Sequence, residues 1–131
     1  RVFDWNRVGL DGKPRELHIE DAMAVSRFAD AGPDRVPAEN LGHGACCWER
    51  FVHSEKFAFE RLSAFDGTPV ALDTGGERFH ILTVVAGRVT VATGDATRER
   101  DTWDSVLVPA SAGSYTLSAG PDAAVLLFYR P

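Results

Sequence analysis

The stretch from Arg78 to Tyr115 reads RFHILTVVAGRVTV (78–91), ATGDATRERDTW (92–103) and DSVLVPASAGSY (104–115). Both faces of segment 79–85 are largely apolar, which is typical of a strand buried within a sheet or barrel. After Ala86-Gly87, Val89 and Val91 alternate with polar residues, as in a half-buried strand. Because a tight turn needs a residue that tolerates positive φ, Gly87 suits the connection. The stretch therefore predicts a β-hairpin, a polar loop over 92–103 and a further strand.

Short apolar runs separated by turn residues continue from Cys46 to the C-terminus, and about eight strands of this kind predict a sandwich or small barrel. The N-terminal part differs. An apolar and aromatic start leads to a turn at 11–14, and apolar residues at helical spacing predict one helix over Ile19–Ala29, followed by a long loop. We therefore expect residues 1–45 to form an extended segment, helix and loop that pack on a barrel of residues 46–131, as one structural domain overall.

Composition limits the classes of partner. The 131 residues carry a net charge of −5, and the basic residues are scattered, which argues against a nucleic-acid groove or an anionic membrane surface. Cys46 and Cys47 are adjacent and cannot easily bridge each other, which favours a reducing compartment. With no apolar run long enough for a membrane span and no signal peptide pattern, we expect a soluble, cytoplasmic protein. The start at Arg1, with the single methionine at Met23, suggests the C-terminal part of a longer chain.

The residues that could carry chemistry form no recognisable constellation. The four histidines (His18, His43, His53 and His80) share no metal-binding spacing, and His80 is expected to be a packed or surface residue of a strand. Four acidic residues are expected to be solvated on loops and strand faces: Glu55, Glu60, Asp101 and Asp104. No GxSxG, Walker or GxGxxG motif is present, and neither cysteine has the setting of a nucleophile.

The order of strand, glycine turn, strand, acidic loop and Val-Pro-Ala resembles the cupin double-stranded β-helix, a jelly-roll barrel. In cupins, two histidines and a glutamate of one motif and a histidine of a second motif bind a metal ion. Here the segment ALDTGG (71–76) has no histidine pair, and Ser114 or Tyr115 stands about where the last histidine would be. The resemblance therefore implies a mainly β, cupin-like barrel that binds no metal.

A longer resemblance involves the N-terminal segment. RVFDWNRVGLDGKPRELHIEDAMAV (1–25) resembles the passage that follows the metal-binding region in type I mannose-6-phosphate isomerases of the short bacterial form. Three later segments resemble strands of the same family: RFVHSEKFAFERLSAFDG (50–67), FHILTVVAGRVTV (79–91) and VLVPASAGSYTL (106–117). The resemblance covers nearly the whole chain apart from residues 30–45.

This resemblance implies a parent enzyme that interconverts mannose 6-phosphate and fructose 6-phosphate through an enediol, with zinc polarising the sugar oxygens. The family's zinc ligands lie upstream of the matching region, so zinc and the sugar phosphate are expected in the parent and no cofactor is expected on this chain. Of the family's active-site residues, the resemblance carries over only an arginine, onto Arg1, which would face the substrate or stabilise the enediolate. A merely structural Arg1 is the other interpretation.

Three functional hypotheses follow from the sequence. The first is the metal-free C-terminal region of a mannose-6-phosphate isomerase, inactive alone. The second is a non-enzymatic, cupin-like sugar-binding or interaction module that uses the mouth of the barrel and its aromatic residues. The third is a structural or oligomerising role within a homo-oligomeric parent.

Overall fold

The computed structural model describes residues 1–30, 37–94 and 96–131, without the side chains of Asp30 and His43. The chain forms two compact units, Arg1–Arg35 and Val36–Pro131. Part of the predicted loop, residues 31–36, lies outside the described residues. The packing of the N-terminal part on the barrel stays a prediction.

The N-terminal unit contains a closed turn and a short helix. Val8 and Pro14 form an isolated antiparallel bridge around Gly12, whose φ of 73° suits a turn. The helix α1 spans Ile19–Val25, and a 3-10 turn follows at Phe28–Asp30. The predicted helix reached Ala29, but Ser26 has an extended backbone (φ −81°, ψ 131°), so α1 ends at Val25. No helix in the described residues is long and apolar enough to cross a membrane.

The second unit is a jelly roll of two antiparallel sheets, as the sequence predicts. Its described strands are β1 Glu39–His43, β2 Cys47–His53, β3 Ala58–Ser63, β4 Val70–Asp73, β5 His80–Ala86, β6 Arg88–Ala92, β7 Thr97–Asp101, β8 Ser105–Val108, β9 Ser114–Ala119 and β10 Ala124–Tyr129. One sheet has the order β1-β2-β3-β10-β5-β8, and the other has the order β4-β9-β6-β7. The first strand lies where the sequence predicted a loop, because segment 39–43 pairs with β2 despite its glycine and few large apolar side chains.

The predicted hairpin of β5 and β6 is wrong in its pairing, although both strands exist. β5 pairs with β10 and β8 in one sheet, whereas β6 pairs with β7 and β9 in the other. Gly87 is the corner between the sheets. Its φ is 67°, and a Cβ there would lie 2.9 Å from the Cα of Ala123, so the corner needs both the left-handed backbone and the missing side chain.

The polar loop predicted over 92–103 contains a strand, β7, which is the hydrogen-bonded neighbour of β6. Its side chains are mostly exposed because β7 lies at the edge of the smaller sheet. An edge strand gains its stability from one hydrogen-bonded neighbour and needs little apolar surface, so hydrophobic alternation does not reveal it.

The core lies between the two sheets. Along β3, β5 and β10, every second side chain is buried, as expected for strands with one face toward the interior. Among the described residues, the largest fully buried apolar side chains are Phe65, Leu62, Leu82, Leu117 and Leu127. The side chains of Glu60 and His80 also lie in this interior.

Candidate functional site

The carboxylate of Glu60 lies inside the barrel. Glu60 is 1% exposed, between the buried Ala58 and Leu62 on the inward face of β3. The expectation of a solvated carboxylate is therefore wrong at this position, because strand alternation gives Glu60 the same inward direction as Leu62. A charge in such a place must be compensated by hydrogen bonds or by an opposite charge.

Three donors compensate the Glu60 carboxylate. The Trp48 indole Nε1–H donates to Oε2 at 2.6 Å, while the Arg50 Nε–H at 2.9 Å and the Tyr129 hydroxyl at 2.7 Å donate to Oε1. The donors come from β2 and β10, the two strands hydrogen-bonded to β3. Trp48 and Arg50 are two residues apart and therefore share one face of β2.

The cluster balances one negative and one positive charge. The hydrogen bond to Glu60 raises the pKa of the Arg50 guanidinium. Burial raises the pKa of Tyr129, and its hydrogen bond to Glu60 acts in the same direction. Arg50 and Tyr129 therefore both keep their protons and remain donors at neutral pH.

A second buried pair joins the two sheets. Nδ1 of His80, on β5, lies 2.8 Å from the hydroxyl of Tyr115, on β9. The imidazole ring also lies 5.3 Å from the ring of Tyr129, measured between centroids. Burial lowers the pKa of His80, and the positive charge of Arg78 adds to this effect. His80 is therefore neutral at physiological pH, which agrees with its expected packed position.

These groups line a pocket of about 220 Å³ between the sheets. Its walls are Trp48, Glu60, Ala71, Leu72, Asp73, Arg78, His80, Leu127 and Tyr129. Asp73, at the end of β4, accepts hydrogen bonds from the Ser114 hydroxyl at 2.7 Å and from the Gly75 N–H at 2.6 Å. These bonds lower the pKa of Asp73, so its carboxylate is ionised and already occupied.

The donor set of this pocket does not fit a metal ion. Both oxygens of Glu60 already accept hydrogen bonds, and the guanidinium of Arg50 would repel a cation beside them. The residue near the expected histidine position, Tyr115, instead binds Nδ1 of His80. Within residues 1–30, 37–94 and 96–131, no group of three His, Cys, Asp or Glu side chains is placed to hold a metal ion.

The residue expected from the resemblance to be catalytic, Arg1, lies in the N-terminal unit and not in this pocket. It is exposed; its Nη1 donates to the carbonyl of Glu16 at 3.0 Å, and its Nε lies 3.9 Å from Oδ1 of Asp4. Its catalytic role stays a prediction.

The other sequence candidates are dispersed. His18 and His53 are exposed, and so are Glu55, Asp101 and Asp104. One signal in the sequence could have revealed the missed cluster. Trp48 and Arg50 are two residues apart on one predicted strand, and the next predicted strand carries Glu60 among apolar neighbours.

The sequence matches no family model and no curated protein. Among solved structures, the chain is similar to the mannose 6-phosphate isomerase from Bacillus subtilis, with a TM-score of 0.72 and 20% identity. That match covers 98% of this chain and 39% of the isomerase, so the chain spans well under half of that enzyme's length. KdgF from Halomonas sp. matches with a TM-score of 0.60 and 16% identity, over 73% of this chain and 88% of that one.

The cupin domain of Schizosaccharomyces pombe Cnp3 is also similar, with a TM-score of 0.54 and 14% identity over 68% of this chain and 67% of that one. At these identities the similarity concerns the fold. The predicted cupin-like jelly roll is confirmed.

Proposed function

We propose that this chain is the C-terminal region of a mannose-6-phosphate isomerase, in which a metal-free barrel supports an active site formed mainly by upstream residues. One observation carries the proposal: the Bacillus subtilis isomerase matches 98% of the chain. The Halomonas and Schizosaccharomyces pombe structures match 73% and 68%. The second unit, residues 36–131, makes up about the same share of the chain as the Halomonas match covers. A match over 98% of the chain must therefore also include the N-terminal unit.

The sequence resemblance supports the same assignment independently of the fold. Its longest segment, residues 1–25, belongs to the N-terminal unit. In the barrel, the carboxylate of Glu60 is neutralised by Arg50 and hydrogen-bonded by Trp48. This arrangement suits a stable support better than a site of acid-base catalysis, because every oxygen is already occupied.

In the proposed parent, zinc would be held by upstream residues and would polarise the oxygens of the sugar phosphate. The contribution of this chain is Arg1, whose guanidinium would stabilise the negative charge of the enediolate. Its side chain is held by the carbonyl of Glu16 and by Asp4, which would orient it. Asp4 is in turn paired with Arg15, and the hydrogen bond from Arg15 lowers the pKa of Asp4.

The test compares the 131-residue chain with the complete reading frame that contains it. Fructose 6-phosphate formation from mannose 6-phosphate is measured with zinc present. The complete protein should isomerise the substrate, and the 131-residue chain should remain at background. Activity of the isolated chain, or a zinc-loaded complete protein without activity, would contradict the proposal; the latter result would favour the non-enzymatic module.

A matched pair of variants tests Arg1 in the complete protein. Arg1→Gln should lower kcat by about tenfold or more, because it removes a charge that acts in the transition state. Arg7→Gln removes an exposed arginine of the same unit and should leave kcat unchanged. Equal rates for the two variants would show that Arg1 is structural.

A further inference from the structure

The pocket between the sheets contains two hydrogen-bond donors that no described residue uses. The first is the guanidinium of Arg78, just before β5, which lines the pocket and forms no hydrogen bond or ion pair with the described part of the chain. Its positive charge nevertheless acts on His80 and helps to lower the pKa of that imidazole. A half-buried guanidinium without an anion is a ready site for a carboxylate or phosphate, which it can bind through two parallel hydrogen bonds.

The second donor is Nε2–H of His80. The hydroxyl of Tyr115 is buried, and its hydrogen-bond partner is Nδ1 of His80. If Nδ1 carried the proton, the hydroxyl hydrogen of Tyr115 would have no acceptor, and burying it unpaired would cost free energy. Tyr115 therefore donates to Nδ1, and the proton of the neutral imidazole is on Nε2.

Nε2 of His80 is not fully buried. In the described residues, no fully buried side-chain nitrogen or oxygen lacks a hydrogen-bond partner. Because the hydrogen bond of His80 involves Nδ1, its Nε2 must retain some accessible surface, and His80 is one of the residues that line the pocket. Arg78 and His80 are two residues apart and both line the pocket, so their donors can bind the same group.

The two carboxylates of the pocket already have hydrogen-bond partners of their own. Glu60 is neutralised by Arg50, and Asp73 already accepts hydrogen bonds from Ser114 and Gly75. Asp73 remains ionised and partly offsets the charge of Arg78, but the effect of Arg78 on the pKa of His80 is larger than that of either carboxylate. The indole of Trp48 and the ring of Tyr129 also line the pocket and provide apolar surface for the body of a ligand.

We propose that this pocket binds a small organic anion, with its carboxylate or phosphate on Arg78 and Nε2 of His80 and its body against Trp48 and Tyr129. The volume of about 220 Å³ is below the range of roughly 300–1,000 Å³ usual for drug-sized ligands, which favours a small metabolite. The site goes beyond the proposed isomerase assignment, since it needs neither zinc nor upstream residues.

The test is a titration of the 131-residue chain followed by the fluorescence of Trp48. Phe replaces the exposed Trp5 and Trp103, so that Trp48 is the reporter. Inorganic phosphate, acetate, citrate and mannose 6-phosphate are the anionic probes, and mannose is the neutral one. At least one anion should give a saturable change at millimolar concentration and bind more tightly than mannose. The side-chain nitrogen resonance of Nε2 of His80, measured in the unsubstituted chain, should shift at the same concentration.

A matched pair of arginine variants decides whether the anion binds where proposed. Arg78→Gln should weaken binding by about 10- to 150-fold, the loss expected when hydrogen bonds to a charged group are removed. Arg98→Gln makes the same charge change on the exposed edge strand β7 and should alter binding less than about twofold. Equal weakening by the two variants, or no saturable binding of any anion, would overturn the proposal. Neither result depends on isomerase activity.

Discussion

Replacing Glu60 by Gln should destabilise the barrel far more than the same replacement of an outward-facing glutamate on the neighbouring strand. Glu60 accepts from Trp48, Arg50 and Tyr129 in the interior. Glutamine keeps the shape, and its carbonyl oxygen can still accept from Arg50 and Tyr129. Its amide group would then face the indole N–H of Trp48, so that two donors meet and neither has an acceptor.

The expected cost follows from these contacts. A hydrogen bond to a charged group contributes about 1.5–3 kcal/mol, and this bond from Trp48 is lost. Removing one partner of a buried ion pair costs about 3–5 kcal/mol, and Arg50 loses its partner here. Because the side chain of Arg50 is 24% exposed, water screens part of its charge. We expect a loss of about 3–4 kcal/mol in the free energy of unfolding, or about 10–15 °C in Tm for a domain of this size.

Glu49→Gln is the matched control. Glu49 is on β2 and pairs with Arg61 of β3 at 2.6 Å, but the two side chains are 22% and 43% exposed. Such a surface pair contributes about 0–1 kcal/mol. Urea unfolding followed by circular dichroism measures both variants. If they differ by less than about 1 kcal/mol, the interpretation of Glu60 as a buried, compensated charge is refuted.

Tyr129→Phe provides a second measurement if the Glu60 variant does not fold. This change removes one of the three donors to Glu60 and leaves the carboxylate bound to Trp48 and Arg50. The expected cost is about 1–2 kcal/mol. A Tyr129→Phe variant as stable as the unsubstituted protein would show that the interior hydrogen bond contributes nothing.

Two further predictions concern the corner and the imidazole. Gly87→Ala should lower the free energy of unfolding by more than about 1 kcal/mol, because Gly87 has φ 67° and a Cβ would meet Ala123 at 2.9 Å. The control Gly44→Ala, where a Cβ would have no atom within 4 Å, should change it by less than about 1 kcal/mol. Equal losses for the two variants in urea unfolding would contradict the role of Gly87 as the corner between the sheets. Because the folded state lowers the pKa of His80, the unfolded chain binds an extra proton first, and stability should fall as pH decreases from about 6.5 toward that lowered pKa. His80→Gln should flatten this part of the profile of urea midpoint against pH. An unchanged slope would contradict the assignment of this pH dependence to His80.

The strands could be recognised from local pattern because each buried strand alternates on its own. Residues 79–91 show both β5 and β6 and the glycine between them. Their pairing could not be recognised in this way, since a glycine of positive φ suits a hairpin turn and a corner between two sheets equally well. The contact of Gly87 with Ala123, a residue far along the chain, distinguishes the two.

The cluster around Glu60 shows the same limit more sharply. Alternation in KFAFERLSAF places Glu60 on the face of Ala58 and Leu62, but Phe57 and Phe59 give the opposite face equal apolar character. The order β2-β3-β10 puts the donors of Trp48 and Tyr129 beside that carboxylate. A solvated acid and a buried one have the same local sequence, because the difference lies in the neighbours.

The amino-acid order of this protein therefore suffices for its buried strands and its mainly β class, since alternation along a strand depends on residues close in the chain. It does not reveal the edge strands β1 and β7 or the corner at Gly87. The pocket lined by Glu60, His80 and Arg78 depends on which strands become neighbours. Tyr115 reaches His80 across the two sheets, and Tyr129 reaches Glu60 from the last strand. Compensation of a buried charge depends on distance in space, and separation along the chain does not reveal that distance.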